Sequence, residues 1–312
     1  MDPKIAVLIV SYNRKEFVLK NIVAVNRSTY KNISIIVFDN GSTDGTLESV
    51  SSQYPDVTLI RSKENLGGAG GFSKALDYAY DNNFDYMFCL DDDGAPKEDC
   101  LEILFNEHNK HDKATILGPK ILPSDAKDES SKHFWPINGK YDSLTKKISE
   151  FSTEEKQRLI SEEATYETAS VALLGMFMHR SVIKINGLPD KGLFITNDDV
   201  EFCLRAWTNN IRICLVQKAV VYHPQGKNIQ LSFFNRKMDF NVLPPWKLYY
   251  YIRNSIYITR IYFKFGQLLK TLMISFIIIF HHLTHEKQKL SILKNGIMGV
   301  MQGLIKKNEV KL

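Results

Sequence analysis

Across residues 5–91, short apolar runs alternate with helical segments, and every run ends in polar residues. Ile5–Val10 (IAVLIV) and Ile33–Phe38 (ISIIVF) are apolar or small throughout and rich in β-branched residues. Such runs suit strands covered on both faces, as in parallel sheets. Val57–Arg61 and Asp85–Leu90 continue the series. Between the runs, Lys15–Val25, Thr43–Tyr54 and Gly71–Asp81 read as helices. Strand and helix in strict alternation predict an open, mostly parallel α/β sheet with flanking helices. Sheets of this kind bind ligands beyond the carboxyl ends of their strands. The polar clusters fall at those ends: Ser11-Tyr12-Asn13, Asp39-Asn40, Asn65-Leu66-Gly67-Gly68 and Asp91-Asp92-Asp93.

The next segment is less regular. Ile116–Ile121 and Thr168–His179 read as strands, Thr196–Trp207 as a loop becoming a helix, and Ile211–Val221 as a strand ending in Tyr222-His223-Pro224. Ser124–Ser131 and the charged run Glu150–Glu163 are the segments expected to be mobile.

The aspartate triplet carries the strongest chemical signal. Alternate side chains on an extended segment point the same way, so Asp91 and Asp93 can share a hard divalent cation. Asp92 is left to the turn or to a sugar. A helix cap or solvated turn is the bland alternative. No lysine or arginine adjoins the triplet in sequence, which favours a metal as its counter-charge. His223 after a strand is a structural histidine or a third ligand. In NLGGAGGFSKAL (Asn65–Leu76), glycines allow close backbone approach and the following helix offers N–H groups to a phosphate. The spacing is not GxGxxG and follows the third strand, which argues against a dinucleotide-dependent dehydrogenase. Asp39 can accept from a base or ribose. In ITNDDVEFCLRAW, Asp198 and Asp199 start a helix, either as favoured N-terminal anions or as a general base. Glu201 and Arg205 are spaced to pair.

IAVLIVSYNR, IIVFDNGSTDGT, the DDD cluster and NDDVEFCLRAW together resemble glycosyltransferase family 2, inverting enzymes of the GT-A fold, over residues 4–226. NLGGAGGFSKAL and the triple aspartate are similar to bacterial galactofuranosyltransferases, and rhamnosyltransferases share much of the layout. The resemblance implies a hexosyltransferase. It assigns Mn²⁺ or Mg²⁺ to Asp91, Asp93 and His223, and catalysis to Asp199 as base with Asp198 in support. The donor falls to Arg14, Asp39, Asn65, Gly67, Gly68, Gly70, Gly71 and Asp92. UDP-galactofuranose is the implied donor, with dTDP-rhamnose as the alternative. A non-catalytic, nucleotide-sugar-binding scaffold is the alternative of another class. Ala172-Leu173-Leu174 stand where those enzymes carry aromatic acceptor-site residues.

Charge divides the chain. From Lys247 onward 11 Lys and Arg face 2 acidic residues, whereas residues 1–246 carry 29 basic and 33 acidic residues. A basic tail on an acidic body implies an anionic partner. Phe265–Leu283 has no uninterrupted apolar run long enough to span a bilayer, and its flanks are aromatic and basic. The tail is therefore expected to be a basic amphipathic helical segment lying on an anionic membrane, with a lipid-linked or cell-surface glycan as acceptor. Its helices are also a candidate homo-oligomer surface. Nucleic acid is not an expected partner. The four cysteines lack CxxC spacing and read as buried thiols. With no signal-peptide pattern, the expected location is peripheral, at the cytoplasmic face of the cell membrane. The expected division is a catalytic domain over 1–245, with nucleotide-binding and acceptor halves meeting near residue 120, and an appendage over 246–312.

Overall fold

A computed structural model describes residues 3–126, 139–224, 228–233, 236–241 and 243–307. Its first elements are β1 (Ile5–Ser11), α1 (Lys15–Asn26), β2 (Ile33–Asp39), α2 (Thr46–Gln53), β3 (Thr58–Arg61), α3 (Gly67–Asp81) and β4 (Tyr86–Asp91). There follow β5 (Ala95–Pro96), α4 (Cys100–His108), β6 (Thr115–Pro123), β7 (Gly139–Asp142), β8 (Lys147–Glu150), α5 (Thr153–Ser161), β9 (Thr165–Glu167), β10 (Phe177–His179) and α6 (Ser181–Asn186). A 3-10 turn at Lys191–Leu193 leads to α7 (Asp198–Thr208) and β11 (Arg212–His223).

The central sheet runs β3-β2-β1-β4-β10-β6-β11-β5, with β9 on β11. Strands β3, β2, β1 and β4 are parallel neighbours, as expected from the alternation. Strand β10 enters antiparallel between β4 and β6, which makes the sheet mixed. Pleating divides β1 between two cores. Ala6, Leu8 and Val10 pack with α3 and α7 residues such as Phe72, Leu76 and Phe202. Ile5, Val7 and Ile9 pack with Val18, Ile22, Val25 and Leu104 of α1 and α4. Each fully buried side chain of this size contributes about 1.5–3 kcal/mol. Both faces being covered explains why these strands carry no polar–apolar alternation. All four cysteines are buried free thiols.

Two expectations change. Thr168–His179 is not one strand: only Phe177–His179 pairs, and 168–176 is buried irregular chain. Gly175, at φ +84°, turns it, with its N–H bonded to the Cys89 carbonyl at 2.7 Å. Burial makes such a segment apolar whatever its backbone does, so periodicity could not separate it from a strand. Within the charged run 150–163, Ser152 and Glu155 form a capping box that starts α5, a surface helix with no buried residue. The expected mobility of 124–131 lies mostly outside the described residues.

The described chain divides into two compact units. One comprises the chain to Phe194 together with Asp198–Pro224; the other comprises Ile195–Asn197 and the chain beyond Pro224. The second unit contains β12 (Asn228–Phe233) paired with β13 (Arg236–Asn241), α8 (Pro245–Tyr262), α9 (Phe265–His285) and α10 (Lys289–Ile305). Leu248, Ile252, Ile256, Ile278, Ile279 and Ile292 form its own core. Gly299 and Gly303 let α10 approach α8 closely: a Cβ there would lie 2.9 Å and 2.7 Å from the Tyr249 and Arg253 carbonyl oxygens.

Candidate active site

Strands β1, β2 and β4 deliver their polar ends to one edge of the sheet, in register: Ser11 lies beside Asp39, and Val10 beside Asp91. Asp39 is fully buried. Its Oδ2 accepts the Ser42 N–H at 3.0 Å, while Oδ1 has no partner among the described residues. An unpaired buried carboxylate oxygen costs free energy unless a ligand satisfies it. A nucleoside hydroxyl or imide N–H suits it.

Next to it, α3 begins at Gly67, four residues before the expected start. Asn65 Oδ1 accepts the Gly67 N–H at 2.8 Å, and Asn40 bonds both the Leu66 N–H and the Gly67 carbonyl at 3.2 Å. The glycines are therefore the first turns of the helix, not a loop before it. Gly67 has φ +72°, and a Cβ there would lie 2.1 Å from the Phe194 carbonyl oxygen. A Cβ on Gly71 would lie 2.4 Å from Val10. Gly68 is open, with an Asp198 carboxylate oxygen 4.0 Å from its Cβ position. Asn65 and Gly70 line a cleft of about 290 Å³ with Glu64, Ser73, Lys74, Lys191 and Phe194.

At the end of β4, Asp91, Asp93 and His223 offer ligand atoms within 4.8 Å of one another. His223 arrives on β11, whose Tyr222 pairs with Ala95 just past the triplet. His223 Nε2 lies 3.1 Å from Asp93 Oδ1. Burial alone would lower the His223 pKa, but the bond to Asp93 and its charge outweigh burial and raise it. Burial would raise Asp93, but His223 and then Arg14 hold it below the ordinary range. Two carboxylates and one imidazole suit Mn²⁺ or Mg²⁺, and binding would displace the proton on His223.

The triplet also has a cationic partner that the sequence concealed. Arg14 Nη1 reaches Asp92 Oδ1 at 3.4 Å and bonds Asp93. The expectation that no arginine stands beside the triplet is thus corrected: Arg14 lies 78 residues away in the chain and follows β1, the neighbour of β4. Asp92 is pushed up to about 7, first by burial and then by Asp93 and Asp91, with Arg14 opposing. Asn21, on the apolar face of α1, donates to the Asp91 carbonyl at 2.8 Å and fixes the turn. A polar residue between Val18 and Ile22 was the signal for it, and it was missed.

Asp198 and Asp199 open α7 and are both 9% exposed. Burial raises Asp198 well above the carboxylate range, with Asp199 adding to it. Burial also pushes Asp199 up to about 7; the Val200 N–H opposes and Asp91 reinforces the rise. The helix is anchored from within. Arg205, fully buried, pairs with Glu201 at 3.0 Å, bonds the Asn186 carbonyl and reaches the Leu188 carbonyl at 3.0 Å. Ala172, Leu173 and Leu174 are buried in the two cores and present no acceptor surface.

The sequence model of the family described as Glycosyl transferase family 2 matches residues 6–180. The chain is 24% identical to the dTDP-rhamnosyl transferase RfbF of Shigella flexneri, over 97% of this chain and 96% of that protein. It is 26% identical to the galactofuranosyltransferase GlfT1 of Mycobacterium tuberculosis strain H37Rv, over 73% of this chain and 72% of that one. Among solved structures, GalNAc-T7 with UDP, GalNAc and Mn²⁺ aligns at a TM-score of 0.60 and 16% identity, covering 83% of this chain but only 48% of that one. S. aureus TarS 1-349 with UDP aligns at 0.54 and 16% identity, covering 95% of this chain and 81% of that one. The fold is that of the GT-A glycosyltransferases.

Proposed function

The chain belongs to glycosyl transferase family 2, and from that premise we propose an inverting, divalent-metal-dependent transfer of galactofuranose from UDP-galactofuranose to a lipid-linked or cell-surface glycan. The observation that carries this reading is the convergence of two carboxylates and an imidazole at the β4 edge. Asp91, Asp93 and His223 would hold Mn²⁺ or Mg²⁺, which supplies Lewis acidity to a diphosphate leaving group. Asp39 offers its unpaired oxygen to the nucleoside. Arg14 and Asp92 orient the diphosphate and sugar beside the glycine-rich start of α3. Asp199 accepts the proton of the acceptor hydroxyl, and Asp198 supports it. A pKa near 7 suits a base working at neutral pH. A single displacement inverts the anomeric centre and requires no enzyme nucleophile.

The donor rests on the likeness of Asn65–Leu76 to galactofuranosyltransferases and on the GlfT1 relatives. A second reading, dTDP-rhamnose, is favoured by the end-to-end match to RfbF. The full chain incubated with a panel of UDP- and dTDP-sugars should release nucleotide from UDP-galactofuranose at least tenfold faster than from the others. Preference for dTDP-rhamnose would move the assignment.

We place the enzyme peripherally, at the cytoplasmic face of the membrane. In α9, Phe265, Leu269, Met273, Phe276 and Phe280 recur every three or four residues, all more than half exposed. The opposite face, Ser275, Ile278, Ile279 and His282, is buried. At 21 residues α9 is long and apolar enough to cross a membrane, which the broken apolar run in the sequence had not suggested. Its one-sided burial and the basic residues around it favour lying in the interface. The full chain should float with vesicles containing anionic lipid, and Phe276→Glu with Phe280→Glu should abolish flotation. Flotation unchanged by the double substitution would refute this face.

A further inference from the structure

The helix that follows β1 meets the aspartate triplet at two points. Arg14 is the N-cap residue of α1, and its guanidinium reaches the carboxylates of Asp92 and Asp93. Asn21 stands seven residues further on, two turns along the same face and about 10 Å away along the axis. It grips the backbone instead. Its Nδ2 donates to the Asp91 carbonyl at 2.8 Å and lies 3.5 Å from the Asp92 carbonyl. The Asp91 carbonyl also accepts the Gly94 N–H at 3.1 Å, which closes the turn that carries the triplet. Asn21 is 2% exposed and shares the buried face of α1 with Val18, Ile22 and Val25. Its Oδ1 has no partner among the described residues. A buried amide with one end unsatisfied costs free energy. Without Asn21, the Asp91 carbonyl would keep the Gly94 N–H. For folding alone, an aliphatic residue would serve this face better. What the amide adds is a fixed bond between α1 and the main chain of the triplet.

We propose that Asn21 is a positioning residue for the metal pair: it pins the main chain of Asp91 and Asp92 to α1 and so holds the Asp91 and Asp93 carboxylates at the separation a divalent cation requires. This rests on the reading of Asp91, Asp93 and His223 as the metal ligands. The side-chain partners of Asp93 cannot supply this hold. Arg14 and His223 are bound to Asp93 through its charge, and an entering cation competes with both. The Asn21 amide is neutral and bonds to main-chain carbonyls, so its grip is the same with the cation present or absent. Partners that orient metal ligands in this way are worth about 10–100-fold in metal affinity. The two grips of α1 thus differ in kind. Arg14 can leave the carboxylates for a diphosphate, and Asn21 keeps the turn in place when it does.

The test uses full chains and Mn²⁺ alone as the probe, with bound metal read from the loss of the free-Mn²⁺ electron spin resonance signal. Asn21→Leu removes the donor and suits the apolar face. It should weaken Mn²⁺ binding about tenfold, while the melting temperature stays within about 3 °C of wild type. Asn21→Ala adds no bulk and should show the same loss of affinity, which keeps the comparison if leucine does not fold. Asn21→Gln retains an amide donor and should bind Mn²⁺ more tightly than either. In transfer assays, Asn21→Leu should need about tenfold more Mn²⁺ for half-maximal rate and regain the wild-type kcat at saturating Mn²⁺. UDP affinity measured without metal should be unchanged. Val18→Ala, one turn away on the same face, should lower the melting temperature and leave Mn²⁺ affinity in place. Wild-type Mn²⁺ affinity in Asn21→Leu and Asn21→Ala overturns the proposal. So does an equal loss in Val18→Ala, since packing of α1 would then suffice as the cause. Asp93→Asn separates the two readings. If it binds Mn²⁺ as wild type does, the metal assignment fails and the positioning role with it. If it loses Mn²⁺ while Asn21→Leu and Asn21→Ala keep it, the positioning role alone fails.

Discussion

The two acidic clusters lie on the same unit and differ in their electrostatics. Asp91–Asp93 is compensated at one end: Arg14 and His223 stand within ion-pair distance of Asp93, which is held below its ordinary pKa, while burial pushes Asp92 up to about 7. Asp198–Asp199 is uncompensated: both are buried, neither has an ion pair among the described residues, and both are raised. The surroundings of Asp93 favour a permanent anion, which is what a cation needs. The other cluster favours a group that exchanges its proton near neutrality, which is what a hydroxyl nucleophile needs. Divergent environments around chemically identical groups assign their roles better than the groups themselves do.

That contrast can be broken. The largest effect belongs to Asp199→Asn, which should lower transfer by at least 10³-fold while UDP affinity stays within threefold. Turnover at the wild-type rate would erase the distinction between the clusters. Chelation comes next. EDTA should suppress transfer about 100-fold and added Mn²⁺ should restore it; full activity in chelator would leave Arg14 and His223 as the counter-charges among the described residues. The smallest effect concerns pH. The base acts ionised, so with Asp199 at about 7 the rate should climb as pH rises through 7 and level off above it.

Legibility followed sequence distance. Asp91 and Asp93 were readable because their relation is local, two residues apart on an extended chain. Asp39 was readable because it ends a run that is unmistakably a buried strand. His223 could be seen only as a lone histidine after a strand; its place depends on β11 lying between β6 and β5 in the sheet. Arg14 was included in the donor set through a family likeness, yet its contact with the triplet depends on β1 lying beside β4. The segment 168–176 was misread because burial and strand pairing leave the same apolar signature. The early start of α3 was misread because glycines ordinarily mark a turn, whereas here they let a helix end pack against β1 and Phe194.

The sequence by itself determined the alternation of strand and helix, the edge of the sheet where polar residues gather, and the pair of aspartates able to share a cation. These follow from side-chain period and local spacing, which no long-range contact can alter. Only the tertiary structure decided which charges meet: Arg14 with the triplet, His223 with Asp93, and, among the described residues, no cation with Asp199. Desolvation and pairing depend on where distant segments pack, and they decide that Asp93 is held low while Asp198 and Asp199 are raised.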